Sequence, residues 1–148
     1  MDFKIIEADL SHIQEVYLMM KDFASFQQTP EKFTISLEEF KESKNLFNCL
    51  LAVSGKEIIG LASYFNVFYS WSGKAIYLDD LFVKENYRGC GVGTSLLEAL
   101  ISRAKNSGCK KMRWQVSKWN NNAIAFYRKR GAVTDDVEIN CDLLSMDF

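Results

Sequence analysis

The chain has 148 residues, 48% of them hydrophobic, and a formal net charge of −1 at pH 7. This length and composition predict one domain over residues 1–148, and the near-neutral charge gives no basic field that would predict a nucleic-acid partner. No apolar run reaches the roughly 18 residues of a membrane-spanning helix and no signal-peptide layout opens the chain, so we expect a cytoplasmic protein without a membrane partner.

The first part of the chain predicts one strand and two helices. The segment FKIIE fits a short strand. Ser11 with Gln14 fits a capping box at the start of a helix, whose apolar face runs through residues 13–24. A second box, Ser36 with Glu39, predicts a shorter helix.

The hydrophobic period then changes to that of strands. NCLLAV and EIIGLASYFNVF are separated by the turn signal SGK, which predicts an antiparallel hairpin, and AIYLDDLFV is a further strand. After a glycine-rich turn, an apolar stripe predicts a helix that ends near Gly108. KKMRWQVS predicts another strand, AIAFYRKR a helix stopped by Gly131, and residues 132–148 one or two strands. The order β-α-α-β-β-β-α-β-α-β predicts an α+β fold with a mixed sheet flanked by helices.

The cysteines predict neither a metal site nor a disulfide framework. They are far apart in the sequence, and the chain has one histidine. Reduced, mostly buried thiols are the simplest interpretation. Cys90 differs because it precedes a predicted helix, where the pKa of a thiol can be lowered, and its role stays open.

The stretch YRGCGVGTSLLEAL places Gly89, Gly91 and Gly93 between a strand and a helix. The first N–H groups of a helix lack partners and carry partial positive charge, and glycine lets the backbone approach an anion. Arg88 would add a charge-assisted contact. The pattern therefore predicts a phosphate site, with a tight strand-to-helix connection as the simpler alternative.

Two common phosphate motifs do not fit this turn. A P-loop requires a lysine between the last glycine and the hydroxyl residue, and here Thr94 follows Gly93 directly. A dinucleotide fingerprint requires an acid about twenty residues further on, where Cys109 and Lys110 stand.

The segment YRGCGVG resembles the arginine-x-x-glycine-x-glycine signature of the GCN5-related N-acetyltransferases (GNAT). WSGKAIYLDDLFVKENYRGCGVGTSLLEAL and WNNNAIAFYRKRGA are similar to segments of the diamine (spermidine/spermine) and thialysine branch. The resemblance implies a GNAT-like, mostly antiparallel sheet and direct acetyl transfer from acetyl-CoA to a primary amine of a small molecule, without a metal. It also implies a homodimer. Acetylation of a protein or peptide, and a non-catalytic CoA-binding module, stay open.

The resemblance implies cofactor contacts in three segments. The splayed strand that faces the pantetheine arm would comprise Leu81, Phe82 and Val83. The turn around the diphosphate would comprise Arg88, Gly89, Cys90, Gly91, Val92, Gly93 and Thr94. Further contacts would come from Asn120, Asn122, Ala123 and Tyr127. From the sequence alone, the asparagines are loop and helix-cap residues.

Two residues match catalytic positions of the family. Tyr127 matches a tyrosine that acts as general acid toward the CoA thiolate, although its periodicity alone predicts a core aromatic. Asp79 stands where the diamine branch has glutamate, and the shorter side chain favours a bridging water. Strand alternation sends Asp79 and Asp80 to opposite faces unless a bulge intervenes, so we expect one to face the substrate and the other to be structural.

The acceptor site is the least defined part of the prediction. Besides Asp79, the resemblance implies contacts from Gln27, Gln28, Arg113, Trp114 and Gln115. Glutamines replace the acids of the diamine branch, which favours an amine shorter or less charged than spermine. If Arg113 points inward, it would repel a polyamine but could bind the carboxylate of a thialysine-like or other amino acid. Alternation leaves its direction open.

Overall fold

The computed structural model describes residues 1–148 and divides them into two units, Met1–Gln115 and Val116–Phe148. The first unit contains β1 (Lys4–Glu7), α1 (Ile13–Phe26), α2 (Leu37–Glu42), β2 (Asn48–Ser54), β3 (Glu57–Tyr69), β4 (Gly73–Val83), α3 (Val92–Asn106) and β5 (Lys111–Arg113), and the second contains α4 (Asn121–Arg128). No helix combines the length and the apolar character needed to cross a membrane. The single domain over the whole length stays a prediction.

The five strands form one mixed sheet in the order β1-β2-β3-β4-β5. The first four pair as antiparallel neighbours, whereas β5 pairs with β4 in parallel. The parallel pair follows from the crossover through α3, which carries the chain back along the sheet. In the SGK turn, Gly55 has a φ of 59°, which glycine adopts without strain. The mixed, mostly antiparallel sheet confirms the predicted fold class.

Both faces of the central strands are covered by helices. On one face, α1 and α2 contribute Val16, Met19 and Phe40 to a cluster that includes Leu51 and Leu61. The alternate residues of these strands face the other side, where α3 packs on β2, β3 and β4. Burial on both faces explains why these strands are nearly continuous apolar runs in the sequence.

The N-terminus of α1 differs from the prediction. A short 3-10 turn precedes the helix, and the capping box consists of Asp9 and His12. The Asp9 carboxylate accepts the Ser11 N–H at 2.8 Å, and His12 Nδ1 accepts the Asp9 N–H at 3.1 Å. The proposed Ser11–Gln14 box is therefore wrong, because the extra turn moves the cap two residues earlier. At α2, the Ser36 hydroxyl accepts the Glu39 N–H at 3.1 Å, as predicted.

The C-terminal strands are the other departure. Residues 132–148 contain a single 3-10 turn and no strand. The alternating apolar side chains that suggested strands, such as Val137 and Ile139, are exposed. A strand requires a neighbour for its backbone hydrogen bonds, and this segment pairs with none. For the same reason β5 is shorter than KKMRWQVS, since its pairing with β4 covers three residues.

Gly60 marks the closest approach of α3 to the sheet, and Gly60→Ala should destabilise the fold. An added Cβ would lie 3.1 Å from the Phe82 carbonyl oxygen and 3.1 Å from Val92 Cγ1. We expect urea unfolding to give a loss of about 1–3 kcal/mol. Gly93→Ala is the matched control, because its Cβ would lie at an ordinary 3.6 Å from Val83 Cγ2. Equal stabilities for the two variants would contradict the close packing.

Candidate active site

Asp79 lies in a β-bulge of β4. Asp80 pairs with Ser63 of β3 and Leu78 pairs with Tyr64, so Asp79 is an extra residue between them. Strict alternation therefore does not apply here. Asp79 is exposed at the surface, yet the surrounding protein removes part of its hydration and raises its pKa.

Asp80 is fixed by Ser63. The Ser63 hydroxyl donates to Asp80 Oδ2 at 2.7 Å and accepts the Asp80 N–H at 3.0 Å. Desolvation, with a further contribution from the charge of Asp79, raises the pKa of Asp80 to about 6, although the Ser63 hydrogen bond lowers it. One acid is thus open to solvent and the other is bound within the sheet. Asp80 therefore has a structural role, and a substrate-facing role for Asp79 stays a prediction.

The edge of β4 next to β5 is open beyond Tyr77. Pairing with β5 ends where Tyr77 lies opposite Arg113, whereas β4 continues to Val83. Backbone groups on this edge from residue 78 onward therefore have no strand partner. The predicted pantetheine residues 81–83 lie in this open stretch. An extended ligand could pair with such an edge by main-chain hydrogen bonds.

The turn after β4 presents a run of free backbone donors. From Gly89 to Thr94, no N–H group makes a hydrogen bond within the protein. Gly89 and Gly91 have φ values of 76° and 83°, which require glycine. Helix α3 begins at Val92 without a side-chain cap, so the positive end of its dipole faces the turn. The geometry suits an anion such as a diphosphate.

The Arg88 side chain lies against aromatic rings rather than extending alone from the turn. Its Nε donates to the Val83 carbonyl at 2.9 Å. The guanidinium lies 4.4 Å from the ring centroid of Phe26 and 5.6 Å from that of Phe82. A contact with phosphate would therefore come from the terminal nitrogens, which make no hydrogen bond in the protein.

Two cations of β5 lie over the ring of Tyr69. Arg113 is in register with Tyr77, so both side chains are on the same face. The Lys111 ammonium lies 4.2 Å and the Arg113 guanidinium 5.1 Å from the ring centroid of Tyr69. The pKa of Tyr77 is raised mainly by desolvation, then by the charges of Asp79 and Tyr69, whereas Arg113 lowers it. The phenol of Tyr77 therefore lies within the fields of both Asp79 and Arg113.

Neither of these cations forms an ion pair with a carboxylate of the chain. Because Arg113 is in register with Tyr77, its side chain lies on the face that carries Tyr77; the sequence had left this direction open.

The other predicted acceptor residues lie at the ends of elements. Gln27 caps α1 and Gln28 follows with a φ of 62°. Trp114 and Gln115 follow β5 directly.

The predicted residues of the second unit lie on or just before α4. Asn120 is the helix cap, since its Oδ1 accepts the Ala123 N–H at 3.1 Å, and Asn122 is exposed. Tyr127 is 8% exposed, and desolvation raises its pKa to about 12. Its phenol is therefore protonated at neutral pH and able to donate a hydrogen bond. The roles of these residues toward a cofactor stay predictions.

All four cysteines are free, but only Cys49 is buried. Its burial raises the pKa of the thiol to about 12. The expectation of mostly buried thiols is wrong for Cys90, which lies in the exposed turn, and for Cys141, which lies in the unpaired C-terminal segment.

Several residues of the site were not predicted from the sequence. Ser63 stands within the apolar run GLASYF, where a lone small polar residue was the available signal. Phe26 follows the helical period and therefore suggests core packing alone. Tyr69, Tyr77 and Lys111 come together only through the pairing of β3, β4 and β5, which the sequence does not specify.

Comparisons with known proteins agree with this architecture. The chain matches the model of the Acetyltransferase (GNAT) family over residues 13–132. It is 29% identical to thialysine N-epsilon-acetyltransferase of Mus musculus, covering 87% of this chain and 83% of that protein. It is 32% identical to D-amino-acid N-acetyltransferase HPA3 of Saccharomyces cerevisiae, covering 80% and 78%. The fold is similar to the crystal structure of aminoglycoside acetyltransferase meta-AAC0020 from a soil metagenome, with a TM-score of 0.80, 21% identity and coverage of 96% and 97%.

The Ser63–Asp80 pair should make stability depend on pH. The pKa of Asp80 is raised to about 6 in the folded state from 3.8, so its ionisation costs stability. The free energy of unfolding should therefore fall as pH rises from about 4 to 7, by roughly 1–3 kcal/mol from this group. Asp80→Asn should flatten this decline in urea titrations, while the exposed Asp22→Asn should not. An unchanged slope in Asp80→Asn would contradict the assignment.

Proposed function

The chain belongs to the GNAT acetyltransferase family, and from this premise we propose that it transfers the acetyl group of acetyl-CoA directly to a primary amine of a small molecule. The observation that carries the proposal is the run of unbonded N–H groups from Gly89 to Thr94, at the start of α3. These donors match the diphosphate of coenzyme A in charge and in hydrogen-bonding capacity. The open edge of β4 beyond Tyr77 supplies main-chain partners for the pantetheine arm.

Asp79 is the proposed route for the amine proton. An alkyl ammonium with a pKa near 10.4 must lose a proton before attack, which costs about 4–5 kcal/mol at pH 7. The exposed Asp79 carboxylate attracts the ammonium, and its raised pKa makes it a better base. Because aspartate is short, we propose that a water carries the proton between them.

Tyr127 is the proposed donor to the departing sulfur. A thiolate leaving group gains negative charge as the acetyl group moves to nitrogen, and a neutral phenol can donate a hydrogen bond or a proton to it. The raised pKa of Tyr127, about 12, keeps this donor protonated over the physiological range. Holding amine and thioester together supplies the remaining acceleration by proximity.

For the acceptor, an amino acid is supported better than a polyamine. Lys111 and Arg113 have no carboxylate partner, share the face of Tyr77 and lie over the ring of Tyr69. Two unneutralised cations repel a polyamine but attract a carboxylate, while Asp79 attracts the amine. The names of the two relatives, a thialysine and a D-amino-acid acetyltransferase, support the same class. The homodimer and the cytoplasmic location stay predictions.

A direct assay tests this proposal. The protein is incubated with acetyl-CoA and thialysine, lysine, putrescine, spermidine or a short peptide, and the release of free thiol is followed. We expect turnover with the amino acids and less with the polyamines. A preference for the peptide would instead support a protein N-acetyltransferase. Absence of turnover with all of them, together with heat of CoA binding in calorimetry, would support a non-catalytic CoA-binding module.

Asp79→Asn should lower kcat/KM about 10- to 100-fold and move the pH profile upward. Without the carboxylate, the amine must lose its proton to bulk water, so activity requires a higher pH. The measurement is initial rate from pH 6 to 10 at saturating acetyl-CoA. Asp22→Asn, on the exposed side of α1, should retain the wild-type profile. A wild-type profile in Asp79→Asn would make this residue structural.

Tyr127→Phe should lower kcat about 100-fold at saturating substrates, because the ring stays but the proton donor is lost. Tyr17→Phe is the matched control, since it removes a phenol that donates to the Ile35 carbonyl at 2.9 Å. Steady-state kinetics with both substrates saturating measures the difference. Equal kcat values for the two variants would overturn the acid role.

Arg113→Gln should raise the KM for thialysine about 10- to 100-fold, because a charged hydrogen bond to the carboxylate contributes roughly 1.5–3 kcal/mol. The KM for putrescine, which has no carboxylate, should stay the same or fall. Lys110→Gln removes a neighbouring exposed cation outside this cluster and serves as the control. A parallel rise for both amines would show that Arg113 does not select the carboxylate.

A further inference from the structure

Arg88 contacts three separate parts of the first unit. It stands in the turn before α3, its Nε donates to the Val83 carbonyl of β4, and its guanidinium lies on Phe26 at the end of α1. We propose that Arg88 is a positioning residue that couples the diphosphate turn to the C-terminal end of α1, so that CoA binding orders the acceptor side. This inference rests on the proposed function, because it takes the turn as the CoA site and the end of α1 as part of the acceptor site.

The contacts of Arg88 belong to a continuous aromatic cluster, which consists of Phe23, Phe26 and Phe82. The ring centroids of Phe23 and Phe82 are 5.2 Å apart, and those of Phe26 and Phe82 are 6.3 Å apart. Phe82 is 8% exposed, whereas Phe26 is 40% exposed. The inner ring is therefore fixed by the core. The outer ring is more exposed and is contacted by Phe23, Phe82 and the Arg88 guanidinium.

The end of α1 is a segment whose order such a contact can change. After Phe26, the Gln27 N–H bonds the Phe23 carbonyl at 2.8 Å and the Gln28 N–H bonds the Ser25 carbonyl at 3.0 Å. Gln28 then takes a φ of 62°, a left-handed conformation that is less favourable for a non-glycine residue. The Thr29 N–H bonds the Ala24 carbonyl at 3.0 Å and closes this end as a Schellman-type cap, and an external contact on Phe26 opposes its opening.

The chemistry of the guanidinium suits a coupling role. It lies over an aromatic ring, its Nε fixes the side chain to a β4 carbonyl, and its terminal nitrogens make no hydrogen bond in the protein. An anion held by the N–H groups of residues 89–94 restricts the backbone of the turn. That restriction passes through Arg88 to Phe26, and by reciprocity an ordered α1 end favours CoA binding.

Hydrogen–deuterium exchange with CoA as the probe tests this coupling. In the wild type, the amides of residues 27–29 should exchange about three- to fivefold more slowly when CoA is bound, as expected for a cation–π contact worth about 1 kcal/mol. Arg88→Lys keeps the charge but loses the flat face and Nε, and Phe26→Leu loses the ring. Each should abolish the slowing, and the double variant should behave as either single one does.

Phe47→Leu is the matched control. It removes a ring that packs on Phe40, with centroids 5.2 Å apart, outside the cluster that Arg88 contacts. Its CoA-dependent exchange at residues 27–29 should equal that of the wild type. This comparison separates the coupling from a general loss of stability caused by removing an aromatic side chain.

Kinetics provide a second readout. With the best acceptor from the assay above, Arg88→Lys and Phe26→Leu should each raise the acceptor KM and the Kd for CoA by the same factor of about three to five, because the coupling is reciprocal. Their effects should not multiply in the double variant, because both remove the same contact. Multiplying effects would overturn the coupling. A tenfold weaker Kd for CoA in Arg88→Lys, with Phe26→Leu silent, would also overturn it and make Arg88 a phosphate ligand.

The outcomes also separate this inference from the proposed function. If calorimetry shows CoA binding but exchange at residues 27–29 does not change, the coupling is wrong and the acetyl-transfer proposal is unaffected. If no acceptor is turned over but the exchange pattern is as expected, the acetyl-transfer proposal fails and the coupling is supported. If CoA does not bind, both are overturned.

Discussion

The bulge at Asp79 is the constraint on which the arrangement of the site depends. One extra residue shifts the alternation of β4, and every residue from Asp80 to Val83 takes its face from that shift. Ser63 fixes the position of the shift because it bonds both the N–H and the carboxylate of Asp80. Phe82 consequently enters the core, and the Val83 carbonyl is presented to Arg88.

The site uses two kinds of recognition that are built from different parts of the chain. The turn offers main-chain donors, whose directions are set by glycine dihedrals and the start of α3. The region around Tyr77 offers charged side chains, with Asp79 two residues further along β4 and the cations Lys111 and Arg113 on β5. The first suits a ligand shared by a whole enzyme family, and the second can change from one member to another without altering the fold.

The sequence predicted most of the helices and strands, because burial of one or both faces gives apolar residues a regular spacing along the chain. Prediction from the sequence failed where an element depends on a neighbouring strand or on a particular hydrogen bond. The strands proposed for residues 132–148 have no neighbouring strand with which to pair. The cap of α1 moved to Asp9 because a 3-10 turn precedes the helix. The sequence allowed a bulge near Asp79 and Asp80 but did not locate it, because its position is fixed by hydrogen bonds from Ser63 on β3.

The use of main-chain groups in the turn also affects how this site tolerates change over evolutionary time. The N–H groups between Gly89 and Thr94 do not depend on the chemistry of the side chains beside them. Val92 is constrained by packing, whereas the side chain of Cys90 is exposed and supports none of these donors. Drift at position 90 therefore leaves the anion cradle intact. A related chain could differ at this position and still offer the same main-chain donors to the proposed ligand.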